Sequence, residues 1–101
     1  MEITSVKVRK VFEEGPMRAI VSVTFDEQLA VHDIKVVYAR EKYLIVMPSR
    51  KKQDNTYHDT VHPINASFRA ALEEAVMKAY FEQKDALLAE AAERAAQNQN
   101  P

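Results

Sequence analysis

At 101 residues the chain has room for one domain and not comfortably for two. Its 14 Lys+Arg against 15 Asp+Glu exclude a generally basic protein, and the absence of cysteine excludes a disulfide scaffold, a thiol nucleophile and thiolate metal sites. The 47% hydrophobic content overstates the core, because eleven alanines lie from Ala66 onward and there is no Trp, so a partner subunit is invited.

No apolar stretch approaches the roughly 18 residues that a membrane span needs. The start, MEITSVKV, lacks a signal-peptide h-region and reads as mature protein, which places the chain in the cytoplasm. Residues 1–64 carry ten Lys+Arg and nine Asp+Glu, and residues 65–101 carry four and six. Any nucleic-acid surface must therefore be built locally, or doubled by the symmetry of an oligomer.

In chain order, Ile3 to Val11 interleaves β-branched residues with Lys7, Arg9 and Lys10 and reads as a strand. FEEGP holds the sole glycine, Gly15, and marks a turn. Met17, Ala19, Val21, Val23 and Phe25 then fall on one face, with Arg18, Ser22, Thr24 and Asp26 on the other, so this strand is half buried. Asp26-Glu27-Gln28 is a short connection. In LAVHDIKVVY, Ala30, His32, Ile34, Val36 and Tyr38 share one face, opposite Leu29, Val31, Asp33, Lys35 and Val37. AREK is a charged loop, and the continuously apolar YLIVM reads as a strand covered on both sides. Pro48 ends it. SRKKQDNT is a polar loop turning at Asp54-Asn55, and TYHDTV is a last short strand stopped at Pro63.

From Asn65 the period changes. Asn65 or Ser67 can cap a helix on which Phe68, Leu72, Val76, Ala79 and Tyr80 form one stripe, with Glu74–Lys78 and Glu90–Arg94 as i,i+4 pairs. A single helix over 65–97 would be about 50 Å long, against about 26 Å for a compact globule of this size. The spacing therefore predicts either a break near Gln83 to Asp85 or a projecting end, with an exposed, frayed Ala/Glu-rich tail. The fold class is α+β: an antiparallel sheet of four to five strands, then one long or two consecutive C-terminal helices. The domain runs over 1–84, with a helical extension over 85–101.

The chemistry-bearing residues are few. His58 and His62 would lie about 13 Å apart along one strand, too far to share a zinc ion. His32 and Asp33 would point to opposite faces. His32 therefore reads as a core histidine bonded to a backbone carbonyl, and Asp33 as a support for a loop or neighbouring strand. HPIN sets the sheet-to-helix corner, with Pro63 extending His62 and Asn65 capping the helix. One glycine cannot build a phosphate loop, and no nucleophile elbow, paired-carboxylate box or nucleotide fingerprint appears. The chain does not read as an enzyme, and no cofactor, metal or small-molecule substrate is expected. The basic run Arg50, Lys51 and Lys52 remains, with Arg69 near the start of the helix, where cations and free N–H groups together suit phosphate.

MEIT, the RAI…V-T-FD strand, VHDIKVV, MPSRK and HPIN, taken together over about Met1 to Glu82, resemble the bacterial SpoVG family, the stage V sporulation or septation protein. The resemblance implies a small β-sheet with a following helix, a homodimer, and a regulator that binds DNA and in some members RNA. It ties such proteins to asymmetric septation during sporulation and to control of gene expression. The basic pair after MPS, here Arg50 and Lys51, carries over as the nucleic-acid contact, and Lys52 extends it. Family members often have a turn with glycine and asparagine where this chain has AREKY, and a glycine-containing turn where it has QDNTY. Phosphate contacts alone would position without specifying sequence, so modest specificity is expected. The alternative is a protein-interaction module that docks its helix on a division or regulatory partner.

Overall fold

The computed structural model describes residues 1–98, with side chains up to Glu93. The last three residues of the tail expected to fray lie outside that range. Strands β1 (Ile3–Val11), β2 (Met17–Phe25), β3 (Leu29–Ala39) and β4 (Lys42–Val46) form an antiparallel sheet in sequence order. A separate two-stranded hairpin follows, β5 (Ser49–Lys51) and β6 (Tyr57–Asp59), and then one helix, α1 (Ala66–Asn98). The α+β expectation holds with four strands in the sheet and a single helix. No helix among the described residues is long and apolar enough to cross a membrane.

The β2 alternation sets the core. Val8, Val21 and Ile34 stand side by side across three strands, and Ala19 and Val23 are fully buried beside them. Asn65 caps α1: its Oδ1 accepts the Phe68 N–H at 2.7 Å, which satisfies one of the unpaired donors of the first turn. Leu72, Val76, Ala79 and Tyr80 of the expected stripe are buried against the sheet, and Phe68 packs beside them. Tyr80 stacks on Tyr43 at 5.9 Å, Tyr43 on Tyr38 at 4.7 Å, and burial raises the Tyr80 hydroxyl above its usual range. Arg69 pairs with Glu73, whereas the expected Glu74–Lys78 pair is not made.

Of the two alternatives for the helix, the projecting end holds: α1 runs unbroken past Gln83 to Asp85, the molecule measures 51 × 36 × 29 Å, and its gyration radius of 15.4 Å exceeds the roughly 13 Å of a compact chain. Three readings are corrected. β4 is covered on one side only: Ile45 is buried, while Leu44 and Val46 are 44% and 38% exposed. The faces of β3 exchange midway, because Asp33 has a positive φ of 64° within a register shift that brings both Val31 and Ile34 inward. Arg18 does not join the wet face. A register shift after Met17 accompanies it, and its guanidinium lies 5.4 Å from the Tyr38 ring centre.

The turns carry unusual backbone. Gly15 has φ 86°, as its position between β1 and β2 suggested. Asp26-Glu27 and Arg40-Glu41, the central pairs of the β2–β3 and β3–β4 connections, also have positive φ, as a tight type I′ hairpin requires, without a glycine to relieve it.

Candidate nucleic-acid interface

Arg50 and Lys51, expected on a loop, belong to β5. The short strand forms because the turn at Asp54-Asn55 folds the chain back: Asn55, with φ 68°, donates its N–H to the Lys52 carbonyl at 3.0 Å, and Lys52 donates to Thr56 O at 2.8 Å. Ser49 then pairs with Asp59, Arg50 with His58 and Lys51 with Tyr57. Residues directly opposite one another share a face, and neighbours along a strand do not. Arg50 and His58 therefore lie on one face of the hairpin, and Lys51 and Tyr57 on the other. Every residue from Ser49 to Val61 is exposed, so both faces are wet.

The tip is fixed by Asp54. Its Oδ1 accepts the Thr56 hydroxyl at 2.6 Å and the Thr56 N–H at 3.1 Å, and these bonds, the hydroxyl first, hold its carboxyl below the ordinary 3.8. Thr56 has one hydroxyl proton and gives it to Asp54. Its oxygen therefore accepts from His58, whose Nε2 lies 3.2 Å away and carries the proton. Three cations, two carboxylates and a histidine thus share this hairpin, and its net positive charge is small.

Arg69 is less available than its position suggested. Its Nε donates to Glu73 Oε1 at 3.2 Å, so a carboxylate already occupies it on a half-exposed surface. His62 donates Nδ1–H to the Pro63 carbonyl at 3.0 Å, and Asn65 also accepts from the Ser67 hydroxyl at 3.0 Å, so the HPIN corner is held by its own side chains. His32 is not a core residue. The Asp33 bulge leaves it exposed, with Nδ1 2.8 Å from Ser22 Oγ, and Ser22 also accepts from Arg9 Nε at 3.2 Å. Arg9, Ser22 and His32 form a polar bridge across three strands that strand periodicity did not reveal. A bulge at an aspartate leaves no clear signal in one sequence. Among the described residues no group of three or more His, Asp or Glu is arranged to hold a metal ion.

The architecture is that of a small α+β protein with a cationic β-ribbon standing clear of its body. The SpoVG family model matches residues 1–82, and the chain belongs to the SpoVG family. The septation protein SpoVG of Clostridioides difficile is 52% identical over 82 residues, covering 81% of this chain and 89% of the relative. That of Thermoanaerobacter sp. is 49% identical over 85 residues, covering 84% and 92%. That of Desulforudis audaxviator is 49% identical over 86 residues, covering 85% and 97%.

Proposed function

We propose that this chain is a cytoplasmic, homodimeric regulator that binds nucleic acid, DNA or RNA, acts by binding rather than catalysis, and serves septation, as the names of its relatives indicate for them, or sporulation, as the family resemblance implies. The observation that carries the reading is the β5–β6 ribbon. Arg50, Lys51 and Lys52 stand on an element exposed on both faces, and a two-stranded ribbon is narrow enough to enter a major groove. Its cations neutralise phosphates, and a two-fold dimer presents two such ribbons. Arg69 adds support only where a phosphate displaces Glu73.

A second copy has a surface to meet. Ile64 is 89% exposed, and Met1, Leu29 and Val61 are exposed around the same apolar hollow, where Phe25, Met47 and Phe68 form the floor. Exposed apolar groups gathered in one place favour association.

The test is binding to labelled duplex DNA and to single-stranded RNA at two salt concentrations, with the folded Arg50→Ala/Lys51→Ala variant alongside. Salt-sensitive binding that the variant loses supports the reading. A wild-type protein that binds neither at low salt removes it, and unaltered binding by the variant removes the ribbon. Sedimentation at rising concentration tests the dimer.

A further inference from the structure

The near-neutral total charge hides a separation between layers. Strands β1 to β4 contain six cations, Lys7, Arg9, Lys10, Arg18, Lys35 and Lys42, and a single carboxylate, Asp33. Helix α1 carries a net charge of −2, and the remaining acidic excess lies in the turns and at the N-terminus.

The register directs most of the strand cations to the face away from α1. Val8, Val21 and Ile34 form a row on the core side. The alternate rows point outward: Lys7 stands opposite Ser22, and Lys10, Ile20, Lys35 and Val46 lie in line across all four strands. Lys10 and Lys35 are two strand spacings apart, about 10 Å, and Lys7 and Lys10 are about 10 Å apart along β1. Arg9 reaches the same face through its bond to Ser22, which is only 7% exposed beneath Arg9 and His32. Lys7, Arg9, Lys10 and Lys35 are all exposed, and among the described residues no other element covers them.

We infer that this open sheet face is a second phosphate-binding surface, on which Lys7, Lys10 and Lys35 hold a length of nucleic-acid backbone beside the segment gripped by the β5–β6 ribbon. The inference rests on the nucleic-acid reading above. The occupant follows from charge complementarity. Cations about 10 Å apart, with Ile20 between Lys10 and Lys35 and Ser22 beside Lys7, suit a flexible polyanion that can place a phosphate at each. The face offers little to anchor a protein partner: its exposed large apolar groups are confined to the β4 edge, and the half-buried Phe12 at its margin lies under Lys10, whose Nζ is 5.1 Å from the ring centre. The surface reads no bases and contributes affinity without sequence preference.

The test is anisotropy titration of one labelled mixed-sequence duplex at several salt concentrations. Three proteins are compared: the wild type, Lys7→Gln/Lys10→Gln/Lys35→Gln and Arg50→Gln/Lys51→Gln, each checked by thermal melting. The expected result is that the triple variant melts like the wild type and its slope of log K on log salt is shallower by up to about 2.7, since each phosphate contact contributes about 0.9. A folded triple variant with the wild-type slope overturns the inference and leaves the ribbon reading intact. A wild type that binds no duplex at low salt overturns both. If poly-L-glutamate of matched charge binds as tightly as DNA and is lost equally in the triple variant, the face belongs to an acidic protein and the assignment falls.

Discussion

Gln83 of α1 and Val8 of β1 meet through the backbone: Gln83 Oε1 accepts the Val8 N–H at 3.0 Å, and Gln83 Nε2 donates to the Val6 carbonyl at 3.2 Å. β1 is an edge strand, so these outward groups would otherwise lack a strand partner. One side-chain amide thus supplies the donor and the acceptor that a fifth strand would bring. It also ties down the helix at the point where a break was one of the two expected outcomes.

Replacing Gln83 by Ala should therefore lower stability by about 1–3 kcal/mol, the cost of leaving partly buried backbone groups without partners. For a chain of this size that is a fall in melting temperature of about 4–8 °C per kcal/mol. Urea and thermal unfolding measure it. An unchanged midpoint would mean that water replaces the amide at no cost.

Arg40 and Glu41 hold φ of 54° and 63°, a backbone that disfavours any side chain with a Cβ. Arg40→Asn/Glu41→Gly installs the pair that type I′ turns prefer. The double variant should gain about 1 kcal/mol, after the larger unfolded-state freedom of glycine offsets part of the relieved strain. A loss of stability in denaturant titration would show that the turn is not strained.

Arg50 and Lys51 face opposite sides of the ribbon. If the ribbon enters a groove, both sides touch phosphate. Arg50→Ala and Lys51→Ala should then each make the salt slope shallower by roughly 0.9 on duplex DNA, without loss of fold. One variant changing the slope and the other leaving it untouched would mean that the ribbon lies flat on one face.

The carboxyl of Asp54 titrates below its ordinary 3.8 because the folded hairpin donates two Thr56 hydrogen bonds to the charged form. With the folded value depressed, its contribution to hairpin order is present above the unfolded value and disappears as pH falls through the folded one. A carboxyl-carbon NMR titration should find the midpoint under 3.8, and Thr56→Ala should move it upward. An unmoved midpoint would show that Thr56 does not hold Asp54.

Truncation distinguishes the helix end as a docking element from the helix end as structure. Leu87 packs on the core, and Leu88, Ala91 and Ala92 line a groove with Val11 and Phe12. Removing residues 85–101 should lower the melting temperature, whereas stopping after Ala92 should leave it near wild type. If the shorter deletion melts normally yet loses a division or regulatory partner, the interaction-module reading gains; if capture survives it, the partner does not dock on the helix end beyond Ala92.

The sequence by itself determined what depends on local period and local chemistry. The β2 alternation, the three- and four-residue stripe of α1, the cap at Asn65, the turn at Gly15 and the family motifs all express short-range preferences, and short-range preferences are legible in one chain. The exposed basic run was legible too. Only the tertiary structure decided what depends on register and on contacts between distant residues. The Asp33 bulge exchanges the faces of β3 and brings His32 out to Ser22, and a bulge is set by how two strands align. The pairing of β5 with β6 parts Arg50 from Lys51, because side chains alternate once a loop becomes a strand. Gln83 ties the helix to β1 through a partner 75 residues away, and no window of neighbouring residues contains that bond. The gathering of Lys7, Lys10 and Lys35 on one face required the register of the whole sheet, which sums charges that the sequence lists far apart.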